Sequence, residues 1–240
     1  LRHQGLVPWD DDIDIAMLRE DFDRLVKSLK DNETYAINNF YYISLGCRSY
    51  RFVRKDLDSH CFVDIFVYDH YSPLSDDLDT DWKNLKHKKH HLILKLKEVS
   101  KERKGFPKND ARLTEFPELK KNFDEIIDTY IMRTKSLNKE TNYLVWGIDN
   151  NYEGPAAFAW NHGRIFEYKD IFPLRECVFE GKTYKIPNNY EKYAFAEYGV
   201  RYVEMPKNMG ESIHFNQYFA DEDQIKFAKE LIEKEMETDE

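Results

Sequence analysis

Cysteine is scarce: Cys47, Cys61 and Cys177 are the only three in 240 residues, odd in number and scattered. That spacing offers no disulfide framework and no zinc ribbon, and it suits a reducing compartment. No apolar run is long enough to span a bilayer, and no secretory hydrophobic stretch opens the chain. The first residues, Leu1-Arg2-His3, lack a Met, which reads as an N-terminally incomplete sequence. Positive charge is not in excess either. Lys and Arg number 36 against 45 Asp and Glu, leaving −9. This argues against a duplex-binding protein, which needs a basic footprint, and no specific nucleic acid is expected as a partner. Repeats and low-complexity linkers are absent. What is present is 41% hydrophobic residues with 16 Phe, 16 Tyr and 4 Trp, enough for a packed core.

The pattern begins with a strand and a helix. Asp12 to Met17 alternates polar and apolar residues at period two, as a half-buried strand does. From Arg19 a helix follows, with Phe22, Leu25, Val26 and Leu29 at helical spacing. Tyr35 to Leu45, Tyr50 to Arg54 and Cys61 to Tyr68 are rich in aromatic and β-branched residues and read as strands, as does Tyr143 to Ile148. Helices are expected over 82–104 and from about Pro117. A hairpin is expected around Glu180-Gly181, then a short helix closed by Gly199, and a charged amphipathic helix over 221–240. The fold class is α+β: a mixed sheet with flanking helices. The chain is expected to be one domain over 1–240, with 82–136 as a helical insertion.

The sharpest feature is Trp9-Asp10-Asp11-Asp12-Ile13-Asp14. Four carboxylates in five residues repel one another unless a cation or water offsets the charge. On a strand, Asp10, Asp12 and Asp14 line one face, and hard oxygen ligands of that kind suit Mg²⁺. The alternatives are an acidic surface turn or a calcium loop. A calcium loop wants an early Gly and a later Glu in a flexible segment, whereas Ile13, Ile15 and Met17 are expected to bury one side of a strand. Phe62-Val63-Asp64-Ile65-Phe66 places a further carboxylate among apolar strand residues. A lone Asp there is costly unless paired or metal-bound, so Asp64 is the natural third ligand.

The run Leu1-Arg2-His3-Gln4-Gly5-Leu6-Val7-Pro8-Trp9-Asp10-Asp11-Asp12-Ile13-Asp14-Ile15-Ala16-Met17 resembles the signature of the LicD family of phosphocholine transferases, which is similar to the fukutin-type ribitol-phosphate transferases. Val63-Asp64-Ile65-Phe66 resembles its second motif. Phe179-Glu180-Gly181, Ile186-Pro187, Tyr193, Tyr198-Gly199 and Pro206, ending near His214, resemble its C-terminal block. The resemblance implies a nucleotidyltransferase-like fold and transfer of a substituted phosphate, foremost phosphocholine, from a CDP-linked donor such as CDP-choline. The acceptor would be a sugar hydroxyl of a glycan or lipid-linked glycan, as in teichoic acid or lipopolysaccharide modification. It implies Asp12, Asp14 and Asp64 as catalytic acids that, with Asp10, bind Mg²⁺, or Mn²⁺ in its place. The glycine-rich phosphate turn that the family pattern sets just before Leu1 is not in this sequence.

Other residues are candidates for substrate contact. Arg2 and His3 follow the expected phosphate turn. Arg48, Arg51, Arg54 and Lys55 form a basic stretch between the acid motifs, and Arg54 and Lys55 are taken as donor-binding. Trp146 stands near an Asn/Gly-rich loop where aromatics can stack on a base or cage a quaternary ammonium, and His214 closes the C-terminal block. The 82–104 segment holds nine Lys and Arg against two Glu, a face suited to anionic membrane. A cytoplasmic protein, peripheral at the inner face of the membrane, is the expected location. Two rival readings use the same acids: a nucleotidyltransferase that releases pyrophosphate, and a non-catalytic calcium-dependent glycan-binding module.

Overall fold

The computed structural model describes residues 5, 12–42, 47–57, 62–71, 117–136, 142–147, 149, 165–199 and 202. The chain divides into two compact units: Asp14–Asp170, and the segments Leu1–Ile13 with Ile171–Glu240. The expected helix over 82–104, the tail helix over 221–240, and Arg2, His3, Asp10 and His214 lie outside the described residues.

The unit Asp14–Asp170 is a six-stranded sheet with helices. Its strands are β1 (Asp14–Leu18), β2 (Tyr35–Tyr42), β3 (Cys47–Arg54), β4 (Phe62–Tyr71), β5 (Tyr143–Trp146) and β6 (Ile165–Glu167). Helix α1 (Arg19–Ser28) follows β1 directly, α2 (Pro117–Ser136) precedes β5, and the short α3 (Tyr168–Ile171) follows β6. The sheet is mixed and the class is α+β: β1 pairs with β4 in parallel, while every other neighbouring pair is antiparallel.

Strand β4 is the hub. Asp64 and Ile65 pair with both β1 and β3, and Tyr68 pairs with both β1 and β5. A strand residue has two lateral sides, so β3 and β5 follow one another along one edge of β4 and β1 takes the other. Two backbone bonds close the gap between β3 and β5: Gly147 N–H donates to the Val67 carbonyl at 2.7 Å, and Arg48 N–H to the Asp149 carbonyl at 2.8 Å.

Alternation along the strands makes two faces. Phe22 of α1 packs on Tyr50, Ile65 and Val67, flanked by Met17, Leu25, Ile37 and Phe52. On the same face Phe123 of α2 meets the Tyr41 ring edge-on at 5.8 Å. The opposite face carries Asp64, Phe66 and Tyr68 of β4, since these alternate with Ile65 and Val67. The expected burial of Ile13 and Ile15 is not observed: they stay 44% and 40% exposed, and Met17 alone of the three packs on the core. The physical reason is that β1 is short and, among the described residues, pairs with β4 alone, so no described strand covers its outer flank.

In the second unit, β7 (Arg175–Phe179) and β8 (Lys182–Ile186) form the expected hairpin. Its turn is Glu180 at φ 49° and Gly181 at φ 70°, the two positive values that a primed two-residue turn demands. Helix α4 (Tyr190–Tyr198) starts where the Asn189 side chain accepts from the Lys192 N–H and ends before Gly199 at φ 79°, as expected of a glycine stop. Strand β6 and helix α3 had no clear signal in the sequence, because three and four residues are too few to show a period.

Candidate metal centre

The parallel ladder between β1 and β4 sets Asp14 directly beside Asp64. Asp12 precedes Asp14 by two residues. The three residues each offer a carboxylate oxygen, and these oxygens all lie within 4.8 Å of one another. Two sequence motifs some fifty residues apart are thereby joined through a single strand pairing. Asp64 is buried, Asp12 half-buried and Asp14 exposed, so the cluster opens from the sheet toward solvent. Three hard oxygen donors at this separation fit a divalent cation of the Mg²⁺ kind, which is held through a few carboxylates and keeps waters.

Among the described residues, Arg51 sets a cation beside these acids. Register places Arg51 of β3 against Asp64 of β4, and its Nε–H donates to Asp64 Oδ1 at 3.0 Å. The guanidinium carbon stands 4.0 Å from the centre of the Phe40 ring and 3.8 Å from that of Phe62. A planar guanidinium held between two rings keeps its orientation as well as its charge. Asp64 therefore has a fixed hydrogen-bond donor, and part of the repulsion among the acids is offset.

Strand alternation sorts the rest of the basic stretch. Arg48, three residues from Arg51, points to the helix face, where it pairs with Asp124 at 3.0 Å and Asp128 at 2.7 Å on α2. Arg54 and Lys55, the sequence-based candidates for donor contact, are exposed at the end of β3. There Arg54 pairs with Asp56 at 2.7 Å and Lys55 Nζ donates to the Asn32 carbonyl at 2.6 Å. The structure thus sets Arg51, and not these two, against Asp64. Trp146 stands on β5 opposite Tyr68; its Nε1–H donates to the Tyr68 hydroxyl at 3.0 Å and its ring lies 4.6 Å from Phe66. Phe66 follows Asp64 by two residues, so Trp146 shares the acid face with one aromatic between.

Sequence reasoning missed a second charged assembly, on the helix face. Arg19, the first residue of α1, is 4% exposed and Asp149 is 0% exposed. Arg19 Nε and Nη2 donate to the Asp69 carboxylate at 2.8 and 2.7 Å, and Nη1 and Nη2 to Asp149 at 2.8 and 2.9 Å. The Tyr50 hydroxyl donates to Asp149 as well, and Arg48 Nη2 to the Tyr50 oxygen at 3.2 Å. Burial alone would lower the Arg19 pKa, but the Asp149 and Asp69 charges raise it well above its ordinary value. Burial pushes the Tyr50 phenol up, and Asp149 adds to that. For Asp149, burial pushes the carboxyl up, yet the charge and hydrogen bonds of Arg19, with help from Tyr50 and Arg48, hold it below the usual carboxylate range. No sequence cue marked this assembly: the expected strand ended at Tyr68, one residue before Asp69, whereas β4 runs on to Tyr71.

A depressed carboxyl has a defined effect on stability. Folded Asp149 binds a proton less readily than the unfolded chain does, so its contribution is complete above the unfolded carboxylate pKa of about 4. It is lost as pH falls through the lower folded value. Urea midpoints measured from pH 7 down to 3 are expected to stay level to about pH 5 and then fall. A midpoint that rises on acidification would refute the assignment of an ionised Asp149.

Residues 1–109 match the family described as LicD/FKTN/FKRP, nucleotidyltransferase domain. A curated relative, the "Lipopolysaccharide cholinephosphotransferase LicD" of Haemophilus influenzae, is 33% identical over 81 residues, which cover 29% of this chain and 31% of that protein. The chain thus spans less than a third of the length of that relative. No solved structure matches. Among the described residues no helix is long and apolar enough to cross a membrane. Both acid motifs fall inside the matched span, and residues 1–109 are thus similar to the nucleotidyltransferase domain of the LicD family.

Proposed function

We propose that this protein is a Mg²⁺-dependent phosphotransferase that moves a substituted phosphate, foremost phosphocholine, from a CDP-linked donor to a sugar hydroxyl of a cell-surface glycan. The observation that carries the reading is the meeting of Asp12, Asp14 and Asp64 within 4.8 Å, inside a span that matches a nucleotidyltransferase domain. The name of the curated relative supports phosphocholine and a lipopolysaccharide acceptor.

In this reading Asp12, Asp14 and Asp64, with Asp10, hold the metal. Bound Mg²⁺ supplies charge neutralisation at the donor pyrophosphate as the nucleoside monophosphate leaves. The protein's own groups do the rest. Asp64, held by Arg51, orients the acceptor hydroxyl and takes its proton. Trp146, and Arg2 and His3 near the chain start, contact the donor. Mn²⁺ replaces Mg²⁺ at the same oxygens.

The test is incubation of the protein with CDP-choline, CDP-ribitol, CDP-glycerol or, in a separate arm, CTP, with a glycan acceptor and Mg²⁺ or Ca²⁺, followed by product analysis. Release of CMP with Mg²⁺ and a phosphocholine-bearing acceptor is expected. Release of pyrophosphate from a nucleoside triphosphate would favour the nucleotidyltransferase reading. Binding of glycan with Ca²⁺ and no turnover would overturn the enzyme reading altogether.

A further inference from the structure

The mechanism above makes no use of Arg19, yet its place is unusual. Strand β1 pairs with β4 from Asp14↔Asp64 to Leu18↔Tyr68, partners that differ by 50 in number throughout. Arg19 and Asp69 also differ by 50. Their ion pair is the next rung of the same ladder, made by side chains where the strand turns into α1. Arg19 then reaches past β4 to Asp149, beyond the end of β5. One guanidinium thus ties β1 to its partner strand and to the structure on that partner's far edge.

Among the described residues, Met17 and the docking of α1 through Phe22 are the apolar restraints on the register of β1, and β1 itself adds few. It has five residues, of which Asp14, Ile15 and Ala16 are exposed and Met17 and Leu18 half-buried. Register is strongly specified only where a buried face demands it. The backbone ladder forms equally well after a slip. A one-residue slip would bring Ile13 or Ile15 beside Asp64 and turn Asp14 to the other face. A two-residue slip would bring Asp12 or Ala16 beside it. A slip of one residue moves the strand about 3.3 Å, enough to break every Arg19 bond and leave buried Asp69 and Asp149 without their shared guanidinium.

We propose that Arg19 is a positioning residue that locks β1 in register on β4, and so sets Asp14 beside Asp64. The consequence for metal rests on the reading of those acids as a divalent-cation site. Lysine cannot replace arginine here, because a point cation does not serve two carboxylates in fixed forks.

The test uses the full chain with a Met17→Cys, Val67→Cys pair, which are register partners at a spacing that a disulfide bridges. Arg19, Arg19→Lys and Arg19→Met backgrounds are compared for rate of cross-linking and for Mn²⁺ affinity by calorimetry, with thermal unfolding as a check of the fold. Fast cross-linking with Arg19 and at least tenfold slower cross-linking with Lys or Met are expected. Mn²⁺ affinity should fall at least tenfold in the reduced Lys and Met variants and return to near the Arg19 value once the disulfide has formed. Equal cross-linking rates in all three backgrounds would overturn the proposal, as would a loss of affinity that the disulfide does not restore. If the Arg19 protein cross-links fast, the variants slowly, and none binds Mn²⁺, the register role stands and the metal-site reading fails.

Discussion

Asp14→Asn in the full-length protein will lower phosphate transfer by about 10³-fold or more, equivalent to roughly 4 kcal/mol of transition-state stabilisation. The fold will survive. Asp14 is exposed, and surface substitutions usually change stability by no more than about 0.5 kcal/mol. One of three carboxylates lying within 4.8 Å of one another is removed, so the sign of any change should be toward greater stability without metal. Two measurements are needed together: turnover with a CDP-linked donor, and the urea midpoint without metal. Undiminished turnover would remove the acid cluster from the mechanism. Lost turnover with a collapsed midpoint would mean that Asp14 serves the fold.

The second large effect is on stability and falls far from the acids along the chain. Gly147→Ala is expected to destabilise the protein by about 3–5 kcal/mol, the scale of breaking a buried ion pair. A Cβ at this position would collide with Arg19 Nη2 and Asp149 Oδ1, and would stand 3.0 Å from the Val67 carbonyl oxygen. Arg19 has the end of a flexible side chain, but four hydrogen bonds to two carboxylates hold it in place. The backbone at Gly147 cannot withdraw without losing its own bond to Val67. Urea unfolding of Gly147→Ala against wild type measures the effect. A change below about 1 kcal/mol would show that the guanidinium moves aside at little cost, and that the assembly is looser than its geometry. Glycine is required here by the space that a charged side chain from α1 occupies, and no turn signal marks it.

These residues show how far a one-dimensional reading reached. The period-two pattern, the aromatic strands and the glycine stops are local, so β1 to β5, α1, the hairpin and α4 were legible within a few residues. The acids were legible too, because four carboxylates in five residues, and one Asp in an apolar strand, are costly without a reason. That Asp12 and Asp14 meet Asp64 at all was decided by the parallel pairing of β1 with β4, a contact across fifty residues that no local period encodes. Among Arg48, Arg51, Arg54 and Lys55 the sequence reading took Arg54 and Lys55 as donor-binding, with no local signal that singled out Arg51. Strand alternation and the register of β3 on β4 separated them, and placed Arg51 between Phe40 and Phe62 against Asp64. The Arg19, Asp69 and Asp149 assembly left almost no trace in the sequence. Each of those residues is an ordinary polar residue in its own segment, and only burial at one point makes them partners. What the sequence determined by itself was which acids are candidate metal ligands and where the local strands, helices and turns lie, because residue type and local spacing suffice for that. Which groups share a site was decided by the tertiary structure alone, because long-range pairing and burial set the distances at which charges act.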